Sequence, residues 1–249
     1  MPNPTKIIEL DVAVIGGGIA GLWLLNRLHT DNYNCALFES TALGSDQSVA
    51  SQGMIHGGIK YTLSGSLTGA SEAIADMPAL WRKCLDGDGD VDLSRASILS
   101  DHFYMWSSAS VTSKVSTFFA SKATRGRVDK IKAKDRPEIF QHPDFSGQLY
   151  KLVDMVLDVP SVISALANNV NQGDSPKTFL TPASQQQWQI TDGQTSLLIT
   201  TNDQVIEVKA KQFILTAGKG NGEILKQLNA QQPQMQTRPL QQVMIKHDY

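Results

Sequence analysis

The stretch from Ile8 to Glu39 restricts the fold of this chain more than any other. Ile8-Glu-Leu-Asp-Val-Ala-Val-Ile15 is an apolar, β-branched strand pattern, and Gly16-Gly-Gly-Ile-Ala-Gly21 follows it without a break. Ile19, Leu22, Leu25 and Leu28 then recur at helical spacing, the apolar stripe with which a crossover helix covers a sheet. A second apolar run, Cys35-Ala-Leu-Phe38, ends on Glu39. Strand, glycine turn, helix, strand and acid together describe a βαβ unit with a phosphate site at its turn. Gly16 permits the sharp exit from the strand, Gly18 lets backbone approach a pyrophosphate, and Gly21 lets the helix lie close to the sheet. The helix N-terminus adds N–H groups that lack intrahelical acceptors, together with a partial positive charge. Glu39 falls roughly 20 residues beyond the glycines, where a carboxylate accepts the ribose hydroxyls of an adenosine and repels a 2′-phosphate. The motif alone leaves FAD and NAD open.

The next segment separates them. A nicotinamide domain continues into another strand and crossover helix, whereas Ala42 to Tyr61 is small, polar and glycine-rich. Gly53, Gly57 and Gly58 suit backbone running beside an extended cofactor, because no side chain projects from them. The glycine motif with Glu39, the run Ser48 to Ser51 and the stretch Ile55-His-Gly-Gly-Ile-Lys-Tyr61 resemble the FAD-dependent oxidoreductases of the D-amino acid oxidase and glycerol-3-phosphate dehydrogenase superfamily. Later segments follow in the same order. Asp158 to Leu166 is similar to the family's helix entry before its return to the nucleotide sheet. Phe213-Ile-Leu-Thr-Ala-Gly218 is similar to its strand and turn beside FAD, and Arg238-Pro-Leu-Gln-Gln242 to the start of its substrate-domain sheet.

The resemblance implies an α/β fold, α+β overall: a Rossmann-like FAD-binding sheet, a three-stranded β-meander and an incomplete antiparallel substrate-domain sheet. It assigns residues 1–82 and 150–228 to the FAD-binding part and 83–149 and 229–249 to a partial substrate or cap part. The implied FAD contacts begin with Gly16, Gly17, Gly18, Ile19, Ala20, Gly21, Glu39 and Ser40. They continue through Ser48, Ala50, Ser51, Gln52, Met54, His56, Gly57 and Gly58 to Ala217 and Gly218. His56 is the titratable side chain that the resemblance sets near the flavin ring. It orients the ring, assists proton removal, carries a covalent flavin link, or is a loop histidine bonded to backbone. Arg238 has the guanidinium geometry to hold a substrate carboxylate or phosphate, or else forms a surface ion pair. Lys60 and Tyr61 contact substrate or cap the loop.

Composition sets the remaining bounds. With 22 basic and 24 acidic side chains the net charge is −2, which gives no global pull toward nucleic acid or an anionic membrane. An apolar content of 41% supplies a substantial core. No apolar run approaches the roughly 20 residues that span a bilayer, and no secretory leader pattern opens the chain, so the expectation is cytoplasmic. Cys35 and Cys84 form no CxxC and read as reduced structural thiols. The five histidines lack metal-ligand spacing, Asp86 to Val91 lacks the twelfth-position glutamate of a calcium loop, and no metal is expected. Neither a GxSxG elbow nor an HExxH is present, which suits chemistry carried by a flavin.

Three expectations concern local structure. Leu67, Ala70, Ile74, Met77 and Trp81 mark one helix with a buried stripe. The basic run from Lys122 to Arg136 reads as solvated helix or loop. Trp188 to Ile190, Leu197 to Thr200 and Val205 to Val208 form the meander, after which Phe213 to Leu215 returns to the parallel sheet, and Val243 to Ile245 begins a further strand. Members of the resembled superfamily run on the order of a hundred residues longer, so the sequence reads as a truncated version with the flavin-ring half incomplete. The expected activity is hydride transfer from a small polar amine or hydroxy acid to flavin N5, with oxygen, a quinone or another acceptor taking the electrons. A catalytically incomplete nucleotide-binding fragment and an NAD-dependent dehydrogenase are the other readings.

Overall fold

The computed structural model describes residues 4–58, 74–107, 128–172, 177–191, 193–201, 204–239 and 241. From the N-terminus its elements are β1 (Lys6–Ile15), α1 (Ile19–Thr30), β2 (Cys35–Glu39), β3 (Met54–Ile55), α2 (Met77–Leu85), β4 (Ile98–Ser100), β5 (Phe103–Ser107) and β6 (Val128–Ile131). There follow β7 (Gln148–Leu152), β8 (Met155–Leu157), α3 (Val159–Val170), β9 (Thr178–Leu180), β10 (Gln186–Thr191), β11 (Gln194–Thr200), β12 (Val205–Leu215) and α4 (Asn221–Gln227). The chain divides into two compact units, one of residues Met1–Ser51, Asp90–Arg95 and Val159–Gln241, the other of Gln52–Gly89, Ala96–Asp158 and Gln242–Tyr249.

The first unit is a six-stranded sheet in the order β10-β11-β12-β1-β2-β9. β1 lies parallel to both β12 and β2, and β9 runs parallel to β2. Because β1 is central and parallel on both sides, its C-terminal half is covered on both faces, and Val12, Ala13, Val14 and Ile15 are all buried. A single core cluster gathers Leu10, Ala13, Ile15, Ala36, Phe38, Leu197, Ile199 and Val208. Phe38 stacks on Phe179 with ring centroids 5.6 Å apart, and Trp188 meets Phe213 edge-on at 5.2 Å. Within the same unit α1 and α3 meet through the buried Asn26, whose amide donates to the Leu22 and Leu166 carbonyls at 2.8 and 2.9 Å. The strap Asp90–Arg95 is tied to α1, since Trp23 donates to the Asp90 carboxylate and Arg27 Nε lies 3.1 Å from it.

The meander has a different outcome from its sequence expectation. The polar stretch Lys209-Ala-Lys-Gln212 reads as a break between two strands, yet Val205–Leu215 is one continuous strand. It pairs antiparallel with β11 and parallel with β1, so the third meander strand and the returning parallel strand are the same element. Lys209, Lys211 and Gln212 are exposed, and their polarity marks a solvated part of an unbroken strand. Outside the sheet core, Lys211 Nζ sits 2.7 Å from Asp11 on the neighbouring β1. That partner holds the Asp11 carboxyl below the usual value of 3.8, helped by the Asn34 N–H, and Asp11 in turn raises Lys211.

The second unit contains two three-stranded antiparallel sheets, β3-β8-β4 and β5-β7-β6, with α2. The helix expected from Leu67 starts at Met77, with Ile74 in the turn ahead of it and Pro78 in its first turn. Proline supplies no N–H and suits a first turn, so it fixes a start where apolar spacing alone suggests continuity. Leu67 and Ala70 lie outside the described residues. Of the basic run, Val128–Ile131 is strand, not helix or loop, because β7 offers it a ladder. Lys122 to Arg127 lie outside the described residues. Arg136 is turned inward, donating to the Gly147 carbonyl at 3.1 Å with its guanidinium 5.0 Å from the Phe145 ring centre. Cys35 and Cys84 are buried free thiols, and burial pushes the Cys35 thiol upward, away from reactivity. Among the described residues no helix is long and apolar enough to cross a membrane, and no cluster of three or more His, Cys, Asp or Glu is placed to hold a metal ion.

Candidate functional site

The turn after β1 is held from three sides within the first unit. The chain leaves Ile15 with Gly16 at φ +110°, a conformation that L side chains rarely adopt, and a Cβ there would stand 2.5 Å from Ala217 backbone. The Gly16 N–H donates to the Phe38 carbonyl of β2 at 2.9 Å, while the Thr216 N–H donates to the Ile15 carbonyl at 2.7 Å. The Thr216 hydroxyl shares its proton between the carbonyls of Gly16, at 2.8 Å, and Ile15, at 3.0 Å. Gly21 is the second forced glycine, since a Cβ would lie 2.0 Å from the Gly16 carbonyl oxygen and 2.7 Å from Thr216 Oγ1.

Glu39 completes the turn from the end of β2. Its Oε2 accepts the Gly17 N–H at 2.6 Å, and its Oε1 accepts the Thr41 N–H at 2.8 Å. A carboxylate has about four lone-pair sites, so both oxygens keep capacity for a ribose diol. Ser40 is exposed beside it, its hydroxyl 3.4 Å from Glu39 Oε1.

The segment after Glu39 folds into successive turns that close over the N-terminus of α1. Gly44 donates its N–H to the Gly17 carbonyl at 2.7 Å, and Ser48 Oγ accepts the Ile19 N–H at 3.0 Å. Ala50 and Ser51 end this segment and are exposed. On the opposite flank Ala217 and Gly218 follow β12, and the Ala217 N–H is fixed by Asn221 Oδ1 at 2.9 Å. Lys219 Nζ reaches Asp46 at 2.8 Å, which joins the two flanking turns.

These residues fit the ADP part of a dinucleotide. Among the described residues, a Cβ on Gly18 would meet Ser48 Oγ at 3.1 Å and nothing else beyond its chain neighbours within 4 Å, so the space beside Gly18 is otherwise open. First-turn N–H groups of a helix have no intrahelical acceptor, and here one of them, that of Ile19, is taken by a hydroxyl that can rotate. Glycine backbone, a helix N-terminus and a carboxylate on the next strand are the donor and acceptor set for a pyrophosphate and a ribose.

The comparisons with known proteins bear on this geometry. The chain matches the FAD dependent oxidoreductase family, DAO, over residues 11–248. It belongs to that family. It is 44% identical over 241 residues to the probable FAD-dependent oxidoreductase PA4991 of Pseudomonas aeruginosa, across 97% of this chain and 59% of that protein. The crystal structure of PA4991 superposes with a TM-score of 0.70 at 37% identity, covering 95% of this chain and 54% of that one. Glycine oxidase from Geobacillus kaustophilus gives a TM-score of 0.58 at 17% identity, covering 89% and 58% of the two chains. L-alpha-glycerophosphate oxidase from Mycoplasma pneumoniae, solved with FAD bound, gives 0.57 at 16% identity, covering 88% and 56%. The last two likenesses carry the fold. Membership in a DAO-type FAD family decides between the two dinucleotides that the glycine motif leaves open.

The other expected site residues fall in the second unit. Met54 lies in β3, bonded to β8, with Gln52 exposed just before it, and His56, Gly57 and Gly58 follow the strand. The buried Gly57 N–H donates to Asp154 Oδ1 at 3.1 Å. Arg238 belongs to the first unit, where its Nη2 lies 3.2 Å from Gln236 Oε1. Residues 230–239 form no strand, so the sheet start read at Arg238 is not found up to that point. Its continuation at Leu240, Gln242 and Val243 to Ile245 lies outside the described residues, as do Lys60 and Tyr61. Neither Thr216, which braces the turn, nor Asp154, which holds the Gly57 amide, is among the site residues expected from the sequence. A Thr just before the Ala-Gly pair is a usable signal, whereas Asp154 stands out only once the fold buries it.

Proposed function

We propose that this chain binds FAD and takes part in the oxidation of a small polar amine or hydroxy acid in the cytoplasm. The observation that carries the reading is the Gly16–Gly21 turn braced by Glu39, Ser48 and Thr216 over an open helix N-terminus. When bound, FAD supplies the acceptor for the hydride leaving the substrate carbon, and oxygen, a quinone or another acceptor takes the electrons onward.

The protein's own part is positioning and proton handling. The turn amides and α1 hold the pyrophosphate, and Glu39 holds the adenosine ribose. Ser40, Ser48, Ala50, Ser51, Ala217 and Gly218 flank the nucleotide, and Gln52, Met54, His56, Gly57 and Gly58 line the path toward the ring. His56 assists removal of the amine or hydroxyl proton. Arg238 holds the substrate carboxylate through its guanidinium fork.

The test is the absorbance spectrum of the purified chain, followed by a substrate screen. A flavin spectrum bleached by an amino acid or hydroxy acid is the expected result. ADP binding without any bleaching would reduce the reading to a nucleotide-binding piece, and tighter NADH than FAD binding would overturn it.

A further inference from the structure

The outer strands of an open sheet carry backbone N–H and C=O groups that can pair with another chain. In the first unit those strands are β9 and β10. β9 is three residues long, and Pro182 follows two residues beyond its end, so it offers little to pair with. β10 is different. Gln186–Thr191 is a six-residue strand, laddered to β11 in unbroken register from Gln186 opposite Ile199 to Thr191 opposite Gln194. Residues of an antiparallel strand alternate in which neighbour their backbone groups face, so about half of those in β10 point off the sheet. Among the described residues nothing is paired with them.

The chemistry of the strand selects its partner. From Thr178 to Thr201 the sequence holds one charged residue, Asp192, although 18% of the chain is charged. Edges that stay unpaired are guarded by lysine, proline or a bulge, and β10 has none of these. When a strand pairs antiparallel with its own copy across a two-fold axis, its side chains meet the same set of side chains from that copy. A charge near the axis would face its like, whereas a glutamine amide both donates and accepts and so complements itself.

An axis perpendicular to the sheet keeps each face on its own side. Gln186, Trp188 and Ile190 of the two copies then meet on one face, and Gln187, Gln189 and Thr191 meet on the other. Ile190 is 52% exposed, while Trp188, two residues earlier on the same face, packs edge-on against Phe213. A second copy seated along β10 would cover Ile190 and carry the core cluster around Trp188 across the seam.

We propose that β10 is a self-pairing edge: two copies of this chain join antiparallel through Gln186–Thr191, which makes one continuous sheet of their two six-stranded sheets. A seam of six residues falls short of the roughly 1,200 Å² that stable interfaces bury, so the dimer is weak and depends on concentration. The proposal does not rest on the oxidoreductase reading.

The experiment is sedimentation equilibrium of the purified full chain over a concentration series, with hydrogen–deuterium exchange of the peptide spanning β10. Wild type should pass from monomer to dimer as concentration rises, and the β10 amides should become more protected in step. Gln187 and Ile190 are both exposed, so the monomer accommodates lysine at either. Gln187→Lys and Ile190→Lys should each weaken the dimer by about tenfold or more, because like charges set against one another across an interface are strongly disfavoured. Leu180→Lys, at the exposed end of β9 on the opposite edge, should leave it unchanged. If a lysine variant fails to fold, the concentration dependence of wild-type exchange still decides. A chain that stays monomeric throughout, with unchanged β10 exchange, overturns self-pairing and leaves the edge to a partner of another sequence. A dimer untouched by both β10 lysines, or one lost in Leu180→Lys, overturns the assignment to β10.

Discussion

Gly17 donates its backbone N–H to Glu39 Oε2 at 2.6 Å, so the acid that ends β2 also braces the glycine turn that ends β1. One carboxylate therefore shapes the turn and, in the proposed function, also takes the ribose. Glu39→Ala removes both. It should weaken ADP binding by about 1.5–3 kcal/mol, the scale of a hydrogen bond to a charged group, or about 10- to 150-fold in Kd. Glu39→Gln keeps an acceptor for Gly17 and should lose less. Titration calorimetry with ADP checks both variants, and equal affinities for all three proteins would remove Glu39 from the nucleotide site.

Gly18 and Gly21 stand three residues apart and should respond to alanine in opposite ways. At Gly18 φ is −73°, and an added Cβ meets only Ser48 Oγ at 3.1 Å, so the folded chain accommodates it with a small shift of a hydroxyl. Gly18→Ala should therefore keep thermal stability while losing FAD retention. At Gly21 the same methyl would sit 2.0 Å from the Gly16 carbonyl, which cannot move without breaking the turn. Gly21→Ala should lower Tm sharply, through the overpacking cost of about 1–3 kcal/mol or more. Thermal melts alongside bound-flavin absorbance separate the two; a Gly18→Ala protein as yellow as wild type would move the pyrophosphate elsewhere.

The contrast between these glycines shows what the sequence makes legible. The β1, glycine turn, α1, β2 and Glu39 series is local, with every contact inside about 35 residues, and its spacing carries the information directly. Ser48 and Ala217 close the same site from 29 and 196 residues beyond Ile19 and Gly21, and only the resemblance brought them in. Thr216 and Asp154 needed the fold itself, because a hydroxyl on a carbonyl and a buried carboxylate under an amide leave no periodic trace. In sequence β12 reads as two strands, because exposed Lys209, Lys211 and Gln212 interrupt its apolar pattern, and α2 reads as starting earlier, because periodicity does not see that Pro78 belongs to a first turn.

The Asp11–Lys211 pair gives a pH-dependent expectation whose sign follows from both shifts. Asp11 is held below 3.8 in the folded chain by Lys211 and the Asn34 N–H, so its contribution to stability is present above that value and is lost as pH falls through the folded value. Lys211 is raised above 10.5, so its contribution persists below that value and disappears only as pH rises past the folded one. The stability gap between wild type and Asp11→Asn should accordingly be constant at neutral pH and shrink below about pH 3.8. Urea midpoints of the two proteins at pH 7 and pH 3 measure it, since other acid-sensitive groups act on both alike. A gap of the same size at both pH values would show that the charge on Asp11 plays no part.

Asp154 is 6% exposed and sits where β7 passes into β8, with its Oδ1 on the buried Gly57 N–H. Removing the acceptor takes away that buried hydrogen bond, at a cost of about 1–3 kcal/mol. Asp154→Ala should therefore lower the urea midpoint by that amount, while Asp154→Asn, which retains a carbonyl oxygen, should recover most of it. Equal midpoints for the two variants would mean that the carboxylate charge, rather than its hydrogen-bond acceptor, is what this position requires.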